Sequence, residues 1–362
     1  MKIHGKARTS IWTDEARQTV FIIDQTLLPF ALEEHEIVSL DQACEAIRAM
    51  RVRGAPLIGI TAAYGVALQM KTDCTDHALN EACRALLATR PTAVNLAWAL
   101  THMQKVLTPL DELERADAAW QEANKMARDD IATNAAIGEH GLPLIRALHT
   151  RHQRTINILT HCNAGALAAV DWGTATAPIY RAHDGGVPVH VWVEETRPRN
   201  QGLLTAWELR EHGVPHTYIV DNAGGHFMQL GRVDMVIVGV DRASREGDIA
   251  NKIGTYQKAL AAQDNDIPFY AATPSSSIDW QLDNALTEIE IEERSGDEIR
   301  HLRGLSHDGL TRDFRLLDDA SPVANPGFDV TPARLITGII TERGIAAPAQ
   351  LAALFPLESQ RS

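Results

Sequence analysis

Cys162 and Asp241 are the residues whose surroundings best suit acid–base chemistry. Cys162 follows the apolar run TINILT through His161 and precedes Asn163-Ala164-Gly165. If Ala164 to Asp171 forms a helix, the thiol sits at a strand end against a helix N-terminus. That position lowers a thiol pKa and favours the thiolate. A buried small hydrophobe is the alternative, and it suits Cys44, Cys74 and Cys83 better than Cys162. Asp241 follows MVIVGV, a run of apolar residues and one glycine. Buried there, its carboxyl stays protonated, as a general acid requires. A carboxylate that caps the next helix, or pairs with Arg242, fits that position equally well. Asp221 carries the same two readings, with the structural one favoured.

A second set of residues suits an anion. Arg53-Gly54-Ala55-Pro56 opens an apolar helical pattern. Pro56 fits a first helical turn and Gly54 allows close backbone approach. A helix N-terminus with an adjacent Arg binds anions, although a solvated Arg before a helix has the same sequence. Lys252, read as the start of a helix after Asp248, has both readings too.

The elements that must hold these groups change rhythm near Arg151. Before it, TVFIID (Thr19 to Asp24) predicts a strand. Helical patterns then cover Ser39 to Met50 with Ser39 as N-cap, Pro56 to Met70, Asp76 to Thr89, Val94 to Val106 and Asp111 to Ile137. Gly138 and Gly141 set off a last piece, Leu142 to His149. After Arg151, apolar strands centred on Thr155–Thr160, Val189–Glu194, His216–Val220, Met235–Val240 and Pro268–Ala272 alternate with helices. The helical candidates are Ala164 to Asp171, Leu203 to His212, Phe227 to Leu230 and Ile249 to Ala262. This alternation predicts a parallel sheet covered on both faces. Each strand runs into polar residues: His161-Cys162-Asn163, Glu195-Thr196-Arg197, Asp221-Asn222, Asp241-Arg242, and Thr273-Pro274 with Ser275 to Ser277. Ligands of open α/β sheets bind at those carboxyl ends. The expected organisation is a mainly helical N-terminal domain over 1–150 and a parallel-sheet domain over 151–362.

Composition narrows the function. The 362 residues are 45% hydrophobic and 22% charged, with a net charge of -13. That balance argues against nucleic acid, whose binders need a basic face. A small anion remains compatible, because a few cations make a local positive pocket. The four cysteines form no C-x-x-C, the N-terminal MKIHGKARTS has no apolar core of a secretory signal, and the run Ala55 to Met70 is too short to span a bilayer. The expectation is a reduced, cytoplasmic protein away from membranes. No G-x-G-x-x-G, Walker loop, H-E-x-x-H or G-x-S-x-G is present, so no dinucleotide cofactor, metal or serine nucleophile is expected.

Six ordered segments resemble the methylthioribose-1-phosphate isomerases: RGAPLIG (Arg53 to Gly59), RPTAVNL (Arg90 to Leu96), THCNAGALA (Thr160 to Ala168), ETRPRNQG (Glu195 to Gly202), GDIANKIGTY (Gly247 to Tyr256) and NPGFDVTP (Asn325 to Pro332). The wider family includes ribose-1,5-bisphosphate and 5-deoxyribose-1-phosphate isomerases and regulatory subunits of a translation-initiation exchange factor. The resemblance implies a Rossmann-like C-terminal domain beside a smaller helical domain with a few antiparallel strands, and a homodimer. It implies Cys162 and Asp241 as the catalytic pair, Asp241 being the proton donor. It also implies substrate binding by Arg53, Gly54, Ala55, Arg90, Gln201, Asn251 and Lys252. The substrate class implied is a pentose 1-phosphate. The chain departs from the family pattern at Asn200, commonly Leu, and is one residue shorter between Gln201 and Thr205.

Overall fold

The computed structural model describes residues 1–90 and 93–359. Pro91 and Thr92 of the RPTAVNL segment lie outside the described residues. A short hairpin, β1 (Lys2–Ile3) and β2 (Lys6–Ala7), precedes an antiparallel sheet of β3 (Ile11–Asp14), β4 (Thr19–Ile23) and β5 (Glu34–Ile37). Its inner face, Ile11, Val20, Ile22 and Ile37, packs on helices. Helix α1 (Leu40–Arg48) begins where Ser39 accepts a hydrogen bond from the Gln42 N–H at 3.3 Å. Helix α2 (Ala55–Thr72) is buried on nearly every side by α1, α3 (Asp76–Leu87), α4 (Val94–Leu107) and α5 (Glu112–His152). It is apolar all round, which is what a helix with no solvent face requires.

The predicted break at Gly138 and Gly141 does not occur. Helix α5 runs unbroken for 41 residues with Pro143 inside it. The glycines serve packing. A Cβ at Gly138 would stand 3.0 Å from the Ala177 side chain, and one at Gly141 2.5 Å from the Pro178 ring. Helix α5 therefore lies close on α6 (Thr176–Asp184), while its first half packs on α2. The change of rhythm near Arg151 coincides with its C-terminus.

Beyond α5 the chain forms a seven-stranded sheet. Its strands include β6 (Ile156–Thr160), β7 (Val189–Glu194), β8 (His216–Ile219) and β9 (Met235–Val238), with α7 (Gly202–His212) and α8 (Ala223–Gln229) between them. A smaller four-stranded sheet takes β10 (Arg242–Ser244), β11 (Ile249–Lys252), β13 (Ile278–Asp279) and β16 (Phe328–Thr331). Helix α9 (Thr255–Asp264) leads to β12 (Phe269–Ala272), which rejoins the large sheet. The hairpin β14 (His301–Leu305) and β15 (Thr311–Arg315) stands apart, and β17 (Gly338–Thr341) with β18 (Gly344–Ala346) closes the large sheet. The order is β18-β17-β12-β9-β6-β7-β8, parallel except at β18.

Successive residues bury on opposite faces. Met235 and Ile237 pack with Ile179 and Leu209, whereas Val236 and Val238 pack with Met228, Ala259 and Ala262. That explains why the strands read as continuous apolar runs rather than alternating ones. The chain runs outward from β6 through β7 to β8, then returns to the other side of β6 as β9. The two strands meet in parallel at Ile158↔Met235 and Leu159↔Val236. Their carboxyl ends form a topological switch point, where open α/β sheets place ligands.

One half-buried acid gives the fold a pH dependence. Asp130 of α5 accepts the Val170 N–H at 2.8 Å, and burial pushes its carboxyl up to about 7. An unfolded aspartate titrates near ~3.9. Between those values the folded chain holds a proton that the unfolded chain has lost, so stability falls as pH rises through about 7. Asp130→Asn has no proton to lose there. Urea midpoints at pH 5 and pH 8 should lie closer together in this variant than in the parent; an unchanged gap would refute the assignment.

Candidate active site

The loops after β6, β7, β9 and β12 surround one cavity of about 450 Å³. Arg53, Gly54, Ala55, Arg90, Cys162, Gln201, Asp241, Asn251 and Lys252 all line it. Residues spread over some 200 positions thus converge at the switch point between β6 and β9.

The turn after β6 differs from the prediction. The expected helix Ala164 to Asp171 is only a 3-10 turn, Ala166–Ala168. Gly165 is extended, and a Cβ there would overlap the Glu208 carboxylate at 1.6 Å. The helix expected after Cys162 is therefore not there to lower its thiol. Instead its backbone is held left-handed, with φ of 68°. Its N–H donates to Thr196 Oγ1 at 2.8 Å, and its carbonyl accepts from Thr205 Oγ1 at 2.8 Å. Burial dominates its titration and pushes the Cys162 thiol up; Lys252 opposes this most strongly. The expectation of a helix-lowered thiol is corrected accordingly. The two structural alternatives for Asp241 also fall away. Strand β10 follows it rather than a helix, and Arg242 faces Asp279 at 4.0 Å. Burial raises the Asp241 carboxyl, with Lys252 and Arg90 pulling it down and Glu292 pushing it up.

Lys252 is not at a helix start. The predicted helix from Ile249 splits into β11 and α9 around Gly254, whose φ is 102°. Lys252 ends the strand, donates to the Gly327 carbonyl at 3.0 Å and lies 4.2 Å from the Phe328 ring centroid. Its neighbour Asn251 is buried and donates to Thr255 Oγ1 at 3.0 Å. Arg53 is short of partners. Its buried Nε has none among the described residues, and burial, then Arg199, lower its guanidinium to about 10. It stays cationic at neutral pH, and an anion beside it would relieve that strain. Arg90 is lowered by burial and by Arg294. Gln201 sits at the N-terminus of α7 with a buried, unpartnered Oε1.

Gly54 is required by geometry. Its φ is 91°, and a Cβ would meet the Ala168 carbonyl oxygen at 2.3 Å. Gly54→Ala should lose about 2 kcal/mol or more of stability. Denaturant titration checks this, and a parent-like midpoint would contradict it.

Sequence reasoning missed one wall. Glu288, Ile289, Glu290, Glu292 and Arg294 line the cavity from a distant segment, and Arg199 lines it from the loop after β7. Glu298 ties that wall down, accepting from Arg294 Nη2 at 2.6 Å and Arg199 Nη1 at 2.7 Å. Burial pushes the Glu298 carboxyl up, but the two guanidiniums outweigh it and hold it at about 2. The alternating charges of IEERSGDE were the only local signal.

The remaining strand-end residues brace the site. Asp221 does not line the cavity; it accepts the Thr196 and Arg197 N–H groups at 2.7 and 2.8 Å, the structural role favoured for it. Buried His161 bridges Glu194 at 2.7 Å and the Ile253 carbonyl at 2.8 Å, linking the Cys162 loop to the Lys252 strand. Lys258 lies 3.3 Å from the same Glu194 carboxylate. Ser277 of the serine run lines the cavity and donates to Asn95 Oδ1 at 3.3 Å.

The family described as "Initiation factor 2 subunit family" matches residues 51–348. A protein of Acidiphilium cryptum named "Methylthioribose-1-phosphate isomerase" is 60% identical over 98% of both chains. The crystal structure of 5-methylthioribose 1-phosphate isomerase from Pyrococcus horikoshii OT3 superposes with a TM-score of 0.84 at 39% identity, covering 97% of each chain. A structure described as translation initiation factor eIF-2B, subunit delta, from A. fulgidus has a TM-score of 0.81 at 35% identity, covering 97% of this chain and all of that one.

Proposed function

This chain belongs to the initiation factor 2 subunit family, and within it we propose an aldose–ketose isomerase that converts 5-methylthioribose 1-phosphate to 5-methylthioribulose 1-phosphate. The reaction is a step of methionine salvage. The observation that carries the reading is 54 to 60% identity, over nearly the whole chain, to proteins named for that activity. One cavity that gathers an acid, a thiol and five arginines suits the chemistry.

A phosphate on the anomeric carbon prevents the ring opening that free aldoses undergo. The ring oxygen must be protonated, which needs a neutral acid at the site. We assign this role to Asp241, whose carboxyl burial raises. Proton transfer to the ring oxygen breaks its bond to C1. The Cys162 thiolate then takes the C2 proton, and the C2 hydroxyl passes its proton to the Asp241 carboxylate to give a cis-phosphoenolate. The Cys162 thiol returns a proton to C1 to yield the ketose. Burial opposes a thiolate at Cys162, so Lys252, the strongest influence in its favour, is needed beside it. Arg53, Arg90 and Lys252 hold the phosphate; the backbone at Gly54 and Ala55, with Gln201 and Asn251, completes the substrate contacts. A hydride shift from C2 to C1 is the competing route, with Cys162 only stabilising the transition state.

The test is turnover of methylthioribose 1-phosphate by the purified chain, in deuterated water. Deuterium at C1 of the product is the expected result of proton transfer. Complete retention of the C2 hydrogen at C1 would favour the hydride shift. Faster turnover of 5-deoxyribose 1-phosphate or ribose 1,5-bisphosphate would reassign the substrate. No turnover of any pentose 1-phosphate, together with stable binding to another protein, would move the chain to the regulatory subunits. Two domains joined through α5, a homodimer, a cytoplasmic location and no nucleic-acid partner complete the proposal. Light scattering in solution tests the dimer.

A further inference from the structure

We propose that Asn163 is a further substrate-contacting residue, its side-chain carbonyl accepting a hydrogen bond from a pentose hydroxyl, and that Glu208 positions it. The inference rests on the isomerase reading above. Asn163 follows Cys162 and lines the cavity. Its amide nitrogen donates to Glu208 Oε1 at 2.7 Å and to Thr205 Oγ1 at 3.1 Å. A carboxylate oxygen only accepts, so it dictates which end of the amide is nitrogen. The Thr205 hydroxyl agrees, because its proton goes to the Cys162 carbonyl and leaves a lone pair for Asn163.

Glu208 is itself fixed. Its second oxygen accepts the buried Ala166 N–H at 2.7 Å, so rotating the carboxylate would orphan a buried donor. Burial raises its carboxyl to about 7, so at pH 8 the carboxylate predominates. With its nitrogen held on the α7 side, Asn163 has Oδ1 left over. That oxygen has no donor among the described residues and is not among the buried unpartnered atoms. Arg53, Arg90, Arg199, Arg294 and Lys252 supply the cavity with donors that suit a phosphate. A sugar hydroxyl taken from water needs an acceptor instead. Asn163 offers a neutral one beside the thiol.

Kinetics at pH 8 would compare the parent with Asn163→Ala, Asn163→Asp and the double variant Asn163→Asp/Glu208→Gln. Asn163→Ala should lower kcat/KM about 10- to 100-fold. It also takes a donor from the buried Glu208 carboxylate, so some loss of Tm is expected and the kinetics are read on the folded variant. Asn163→Asp should lose at least as much, because two carboxylates then face each other. The double variant restores the pair with its donor reversed: the new amide at 208 donates to the new carboxylate at 163 and still accepts from Ala166. It should recover most of the loss. If Asn163→Ala stays within about two-fold of the parent, the substrate contact is refuted. If the double variant is no better than Asn163→Asp, the positioning role of Glu208 is refuted. A parent inactive on methylthioribose 1-phosphate would refute the isomerase reading instead.

Discussion

Asp241→Asn should reduce kcat by about 10³-fold while KM changes little, since general acids contribute ~10²- to 10⁴-fold. Asparagine matches the shape of the protonated acid, so the cavity should still bind substrate. It has no proton to give to the ring oxygen. The same substitution should not lower stability. Burial raises this carboxyl, so ionising it opposes folding as pH rises through its folded pKa. The amide removes that penalty, and urea midpoints at pH 8 should equal or exceed the parent's. A site group whose loss damages activity but spares stability is expected where function and folding compete. A folded Asp241→Asn enzyme that keeps more than about a tenth of parental kcat would remove the acid role.

Cys162→Ser should cost about 10³-fold or more in kcat, because a serine hydroxyl is a far poorer proton acceptor than a thiolate at neutral pH. Thr196 and Thr205 hold this residue through its backbone, so the left-handed turn should survive and Tm should stay near the parent's. The thiol also makes a direct prediction. Its alkylation by iodoacetamide should rise with pH, with an inflection above the ordinary cysteine value near ~8.5. Lys252→Met removes the cation that most favours the thiolate, so the inflection should move higher. An inflection below the ordinary value would contradict the burial argument, and an active Cys162→Ser enzyme would eliminate the base.

What was legible depended on how locally it was encoded. The strand at TVFIID and Ser39 as a helix cap were readable because a short β-branched, apolar run and a capping side chain act over a few residues. The parallel sheet was readable because burial on both faces forces continuous apolar runs. The break at Gly138 was misread because glycine weakens a helix in isolation, whereas here it admits α6. The helix after Cys162 was misread because the chain at Gly165 runs extended, packed against the Glu208 carboxylate of another helix, a contact no local pattern carries.

By itself, then, the sequence determined the strand-end placing of Cys162 and Asp241, the apolar sheet beneath them and, through its motifs, the set of residues that share one cavity. Only the tertiary structure decided their electrostatics and their walls. Burial, opposed most by Lys252, sets the direction of the thiol's shift, and the helix expected after Cys162 is not formed. Arg199, Arg294 and Glu298 meet across about a hundred residues of chain. The physical reason is that strand and helix signals are short-ranged. Desolvation and ion pairing depend on which distant side chains the fold brings within a few ångströms, and no local pattern carries that information.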